Sequence, residues 1–163
     1  MSSICFTGHR FIRKDTIPLL KQRLYFRLEE MISQGYTDFY AGGAIGFDTF
    51  CAEAVISLKE KYPHIRLDLV LPCPPDEQTL NWKSADKIRY NAILSHADNI
   101  EIISPHYTNS CMLERNRQLI NCGDYCICFY DSSRNSSGTG QTVRLALKKN
   151  ITVENLFTQE NAF

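Results

Sequence analysis

Charge of one sign is what this sequence conspicuously lacks: eighteen Lys plus Arg stand against eighteen Asp plus Glu in 163 residues. That balance excludes the global basic field with which a protein grips duplex nucleic acid through its phosphates, and leaves room only for a local basic patch. Glycine and proline are scarce, at eight and six residues, which excludes collagen-like, low-complexity and disordered classes. No apolar run approaches the roughly 20 residues that cross a bilayer. The start, Met1-Ser2-Ser3-Ile4-Cys5-Phe6, has neither the basic residues nor the long apolar stretch of a secretory signal. A soluble, cytoplasmic protein without a membrane partner is therefore expected.

Seven cysteines are present, at positions 5, 51, 73, 111, 122, 126 and 128. An odd number and no secretory signal point to a reducing compartment and free thiols. Cys122, Cys126 and Cys128 lie close together, but their C-x3-C-x-C spacing lacks the second Cys or His pair of a zinc site, so no metal is expected. The run Tyr125 to Tyr130 reads instead as a buried strand that uses cysteine as a small hydrophobe. A hydrophobic fraction of 44% in this length suits one domain with one substantial core. The expectation is a single domain over residues 1–157 followed by a flexible tail over 158–163.

Short apolar runs alternate with amphipathic ones. Ser3 to Thr7 reads as a strand. Ile17, Leu20, Leu24, Leu28 and Met31 recur at steps of three and four, which predicts a helix from Asp15 to near Gly35. Strands follow at Asp38 to Ala41, Ile65 to Leu71, Asn99 to Ile103, Tyr125 to Tyr130 and Ile151 to Glu154. Helices are predicted around Phe50 to Leu58, from about Asn81 to His96, over Met112 to Asn121 and over Thr142 to Lys149. This alternation implies right-handed crossovers and an α/β fold, a Rossmann-like three-layer sandwich with a mainly parallel sheet. Ligands in such sheets bind outside the carboxyl ends of the strands, where strand order reverses.

Three strand-end loops carry suitable chemistry. Thr7-Gly8-His9-Arg10 follows strand one: Arg10 can fork onto a phosphate, and His9 can donate a hydrogen bond or move a proton. Gly42, Gly43, Ala44, Gly46 and Asp48 form a glycine-rich turn before the second helix. Such a turn lets backbone approach a ligand and presents helix-start amides to an anion, or is simply a tight turn with Asp48 set against the helix dipole. Ser136-Ser137-Gly138-Thr139-Gly140-Gln141-Thr142 precedes the last long helix; its hydroxyls either meet a phosphate or cap the helix. Asp131 can accept from a ribose hydroxyl or cap a turn.

Taken together, these motifs with Ala52-Glu53, with Glu114-Arg115-Asn116-Arg117 and with Val143-Arg144-Leu145-Ala146 resemble the YpsA-like family of the SLOG superfamily. The resemblance runs over about residues 3 to 155 and rests on four motifs in order. That superfamily also holds the LOG phosphoribohydrolases and the DNA-processing protein DprA. The resemblance implies a nucleotide-like ligand as the only expected cofactor, held by Thr7, Gly8, His9, Arg10, Gly42, Gly43, Ala44, Gly46, Asp48, Asn116, Ser137, Gly138, Thr139 and Thr142, with Arg115 over it as a clamp. A homodimer is left open by analogy with related proteins.

In LOG enzymes an Arg and a Glu following a PGGxGT loop act in cleaving an N-glycosidic bond. Here Gln141, Val143 and Arg144 bring no carboxylate after the corresponding loop, so the oxocarbenium-like transition state lacks its electrostatic partner. The expected role is a sensor or adaptor. The alternatives are an N-glycosidic hydrolase in which Glu53 or Glu114 replaces that acid, with Arg115 beside it, and single-stranded DNA binding, against which the neutral charge argues. Trp82 either stacks on a base or anchors core.

Overall fold

The structure, a computed structural model, describes residues 2–134 and 137–158. Ser136 and nearly all of the expected tail, from residue 159 on, lie outside them. Strands β1 (Ser2–Gly8), β2 (Tyr36–Ala41), β3 (Arg66–Leu71), β4 (Asn99–Ile102), β5 (Tyr125–Phe129) and β6 (Thr152–Asn155) alternate with helices α1 (Ile17–Ser33), α2 (Phe47–Lys61), α3 (Pro75–Gln78), α4 (Ser84–His96), α5 (Cys111–Cys122) and α6 (Gly138–Lys148). The six strands form one sheet in the order β4-β3-β2-β1-β5-β6, and every pair runs parallel. This is the expected Rossmann-like α/β sandwich. The chain moves outward from β1 to β4, then returns to lay β5 on the other side of β1, so order reverses between β1 and β5.

Side-chain alternation along each strand divides the interior into two cores. Ile4, Phe6, Phe39, Leu67, Leu69, Ile127 and Phe129 face Leu20, Leu24 and Leu28 of α1 and Val55 and Leu58 of α2. Cys5, Val70, Cys126 and Cys128 face Leu119 and Ile120 of α5 and Val143 and Ala146 of α6. The cysteines are all free, and those of β1 and β5 give this second face a low relief that lets the backbone come close. A Cβ on Gly123 would stand 2.6 Å from the Cys5 sulfur.

Two elements differ from the periodicity reading. α6 begins at Gly138, four residues before the expected Thr142, because the Ser137 hydroxyl accepts from the Gly140 amide at 2.9 Å and caps a turn that its glycines would otherwise leave loose. The helix expected from Asn81 starts only at Ser84 as α4, and a short helix outside the expected set, α3, precedes it, opened by Pro75, which is pre-set for a first helical turn. No helix among the described residues is long and apolar enough to cross a membrane.

Candidate functional site

The loop after β1 is fixed from both sides through His9. Its backbone carbonyl accepts from the Phe47 amide at the start of α2 at 3.1 Å, while its ring Nε2 accepts from the Asp131 amide beyond β5 at 2.9 Å. An accepting Nε2 requires the neutral ring with its proton on Nδ1. Burial, helped by the Arg134 charge and opposed by Asp131, pushes the His9 pKa down to about 4. His9 therefore stays neutral at physiological pH and ties two loops together. Gly8, just before it, has no room for a side chain: a Cβ would sit 2.4 Å from the Phe47 ring.

The loop from β2 to α2 is packed shut around its own glycines. A Cβ on Gly42 would lie 2.7 Å from an Arg115 nitrogen and 2.9 Å from an Asp48 oxygen, and one on Gly46, where φ is +84°, would lie 2.3 Å from the Arg10 carbonyl oxygen. Arg115 is only 4% exposed; its Nη1 donates to the Gly42 carbonyl and its Nε to the Asn116 side chain at 2.9 Å. Asp48 is buried in the first turn of α2 and accepts from the Ala44 amide at 3.3 Å. Burial pushes its carboxyl up against the opposing Arg115 charge, the Ala44 hydrogen bond and Arg10. Burial likewise pushes the Arg115 guanidinium down against the pull of Asp48. Each thus supplies the countercharge the other needs out of water.

The loop from β5 to α6 is different. No acid lies in the first turn of α6, and a Cβ on Gly138 would meet nothing within 4 Å. The Thr142 hydroxyl is committed to the Gly138 carbonyl at 2.9 Å. Asp131 accepts from the amide and hydroxyl of Ser133, at 3.0 and 2.6 Å, and those bonds hold its carboxyl below the usual range. Arg134 reaches back to donate to the Phe11 carbonyl at 2.9 Å.

Between these loops, at the β1/β5 reversal, lies a pocket of about 290 Å³. Thr7, Gly8, His9 and Arg10 line it from β1, Ala44 and Asp48 from the α2 side, Asn116 from α5, and Ser137, Gly138 and Thr139 from the start of α6. Gly42, Gly43, Gly46, Arg115 and Thr142 are not part of that lining. Glu53 is paired with Arg89 at 2.6 Å, against α4, and Glu114 accepts from Ser110 at 2.8 Å; neither lines the pocket. Trp82 borders an adjoining cleft of about 720 Å³ that shares Arg10 with the pocket. Phe11 and Arg134 also line the pocket and escaped the sequence reading. Their only signal is adjacency, Phe11 beside Arg10 and Arg134 as the one cation in a small polar loop.

A family model described as the YspA SLOG family matches residues 5–158. The chain is 35% identical over 121 residues to a UPF0398 protein of Shouchella clausii, an alignment covering 72% of this chain and 63% of that one; the chain spans a little under two thirds of that relative's length. Among solved structures, DNA processing protein A of Helicobacter pylori, described for its single-stranded DNA binding mode, superimposes with a TM-score of 0.68 at 20% identity, over 98% of this chain and 67% of that one. The structural-genomics target TM1055 does so with a TM-score of 0.59 at 12% identity, over 94% and 72%. Both likenesses are of fold.

Proposed function

We propose that this chain, which belongs to the YspA SLOG family, binds a small nucleotide-like anion in the β1/β5 pocket and serves in the cytoplasm as a sensor or adaptor. The observation that carries the reading is the start of α6: an acid-free helix N-terminus with an uncrowded glycine, opening into a pocket whose rim holds Arg10 and Arg134. Helix-start amides and a guanidinium together favour a phosphate. Among the described residues Arg10 has no hydrogen-bond or ion-pair partner, so its charge is available to a ligand. Seven free thiols suit a reducing compartment.

Hydrolysis gains no support from the geometry. Among the described residues Asp48 is the one carboxylate lining the pocket, and it is held by the Ala44 amide beside Arg115. Single-stranded DNA is a second reading, favoured by one feature: Phe11, 74% exposed, lies on the pocket rim with Arg10, with Lys14 three residues on in sequence and Arg13 paired to Asp15 at 2.5 Å. An exposed ring among cations is how single strands are stacked and neutralised.

Thermal melting with adenosine monophosphate (AMP) and with a short oligothymidylate separates the two. A compound at a hundred times its dissociation constant adds about 2.7 kcal/mol, or a rise of roughly 5 to 10 °C for a chain of this size. AMP is expected to raise the melting temperature, and chromatography to show no free adenine. A rise with the oligonucleotide alone would transfer the conclusion to the second reading, and no rise with any nucleotide at millimolar concentration would remove the first.

A further inference from the structure

The cleft beside the pocket has a wall and an opening of different chemistry. Trp82, half-buried, meets Tyr90 edge-on with ring centroids 5.2 Å apart, and Leu80 and Tyr107 border the same space while 71% and 60% exposed. Large apolar and aromatic surface of this kind around one concavity marks a place for a flat apolar face. Two polar side chains around it are spent. Glu77 accepts from the Tyr107 amide at 2.5 Å and faces His106 at 3.0 Å. Gln78 accepts from the Tyr90 hydroxyl at 2.7 Å. Arg10, the Trp82 indole N–H, the Tyr107 hydroxyl and the Asn81 side-chain amide have no hydrogen-bond partner among the described residues; of these only the Asn81 amide offers both a donor and an acceptor beside the Trp82 ring.

We propose that this cleft is a base subsite: a purine of adenine type stacks on Trp82 and is read at its edge by the Asn81 amide, while its phosphate occupies the α6 pocket across Arg10. This rests on the nucleotide reading of the pocket and assigns the other half of the ligand. Three things agree on it. Arg10 borders both cavities, so one molecule can lie across it. The wall is pre-formed, since Trp82 donates its backbone amide to the Thr79 carbonyl at 3.0 Å and Thr79 caps back onto Pro75 at 2.8 Å. An amide presents a donor beside an acceptor, the pattern that matches the neighbouring amino group and ring nitrogen of adenine.

Trp82 is the single tryptophan of the chain, so its emission reports on the cleft alone. The test compares AMP with ribose 5-phosphate, which carries the phosphate and no base, following binding by melting temperature and stacking by tryptophan fluorescence. AMP is expected to quench the emission saturably, and ribose 5-phosphate to stabilise the protein, more weakly, without quenching. Trp82→Ala should weaken AMP about tenfold to a hundredfold and leave ribose 5-phosphate within twofold, with Trp82→Phe restoring most of the loss. Asn81→Ala should reduce the preference for AMP over guanosine monophosphate about fivefold or more. AMP that binds without quenching and is indifferent to Trp82→Ala overturns the subsite and spares the pocket. An equal loss for both compounds in Trp82→Ala also overturns it, as a packing effect. If neither compound shifts the melting temperature, the pocket reading fails and the subsite fails with it.

Discussion

The turns that lead from β2 into α2 and from β5 into α6 look alike as strings of letters, each glycine-rich and each poised before a helix. Their surroundings differ at the glycine that opens the helix. Around the first, every glycine with a close neighbour is there because something else fills the space: the Arg115 and Asp48 side chains at Gly42, Leu71 at Gly43, the Arg10 backbone at Gly46. Its first helical amide is already given to His9, and its first turn carries a buried acid. Around the second, Gly138 faces open space and no acid intervenes, while a Cβ on Gly140, two residues on, would stand 3.0 and 3.1 Å from the Tyr130 and Ser137 side chains. A glycine before a helix is thus a licence for close approach, and what approaches is protein in one turn and, in our reading, ligand in the other.

Substitution of the glycines is the strongest way to break that contrast. Gly46→Ala combines a positive φ with a backbone clash at 2.3 Å and should cost about 3 kcal/mol or more in urea unfolding; a loss below 1 kcal/mol would mean the β2 turn can yield, and the contrast collapses. The next largest effect concerns His9, which joins the two turns. Its pKa falls from 6.5 unfolded to about 4 in the fold, so the unfolded chain binds the extra proton between those values. The stability held above pH 6.5 is therefore lost as pH drops toward 4, by about 2 kcal/mol once screening at the pocket mouth is allowed for. His9→Gln, which keeps an acceptor for the Asp131 amide, should flatten that part of the melting-temperature profile; parallel profiles for the two proteins would show that the tie is not the histidine ring.

Smaller effects belong to the β5 turn. Gly138→Asp sets a carboxylate where an anion is proposed, in space that accepts it, and should weaken AMP at least tenfold by calorimetry with little change in melting temperature. Gly138→Ala should move stability by no more than about 0.5 kcal/mol. If the alanine variant unfolds as readily as Gly46→Ala, the two turns are equivalent after all.

The layered sheet was legible from residues because burial imposes period: Leu20, Leu24 and Leu28 for α1, and the apolar run at Tyr125 for β5. The start of α6 was not, since Gly138 and Gly140 read as breakers until the Ser137 cap is seen, and α3 hid in a proline stretch. The pocket's place at the β1/β5 reversal accords with topology, as does the nearness of Thr7 and Thr139, whereas Asn116 was singled out only by the family resemblance. What stayed hidden was pairing across distance in the chain. Nothing local in Arg115 says that it will turn to Gly42, 73 residues away, or in Glu53 that Arg89 will take it. Arg134 and Phe11 lie in irregular segments, where no period marks which way a side chain points.

The sheet keeps its two cores apart along its whole length, with α1 and α2 on one side and α5 and α6 on the other. At the β1/β5 reversal that partition ends: Ala44 and Asp48 come from one layer, Asn116, Ser137 and Thr139 from the other, and all border one pocket. A molecule seated there acts as a rivet through the sheet's rim. Its binding energy then counts against local opening of either layer, so amide hydrogen exchange in α2 and in α6 should slow together. A signal received at one small anion would in this way reach both outer surfaces of the protein without any strand having to move.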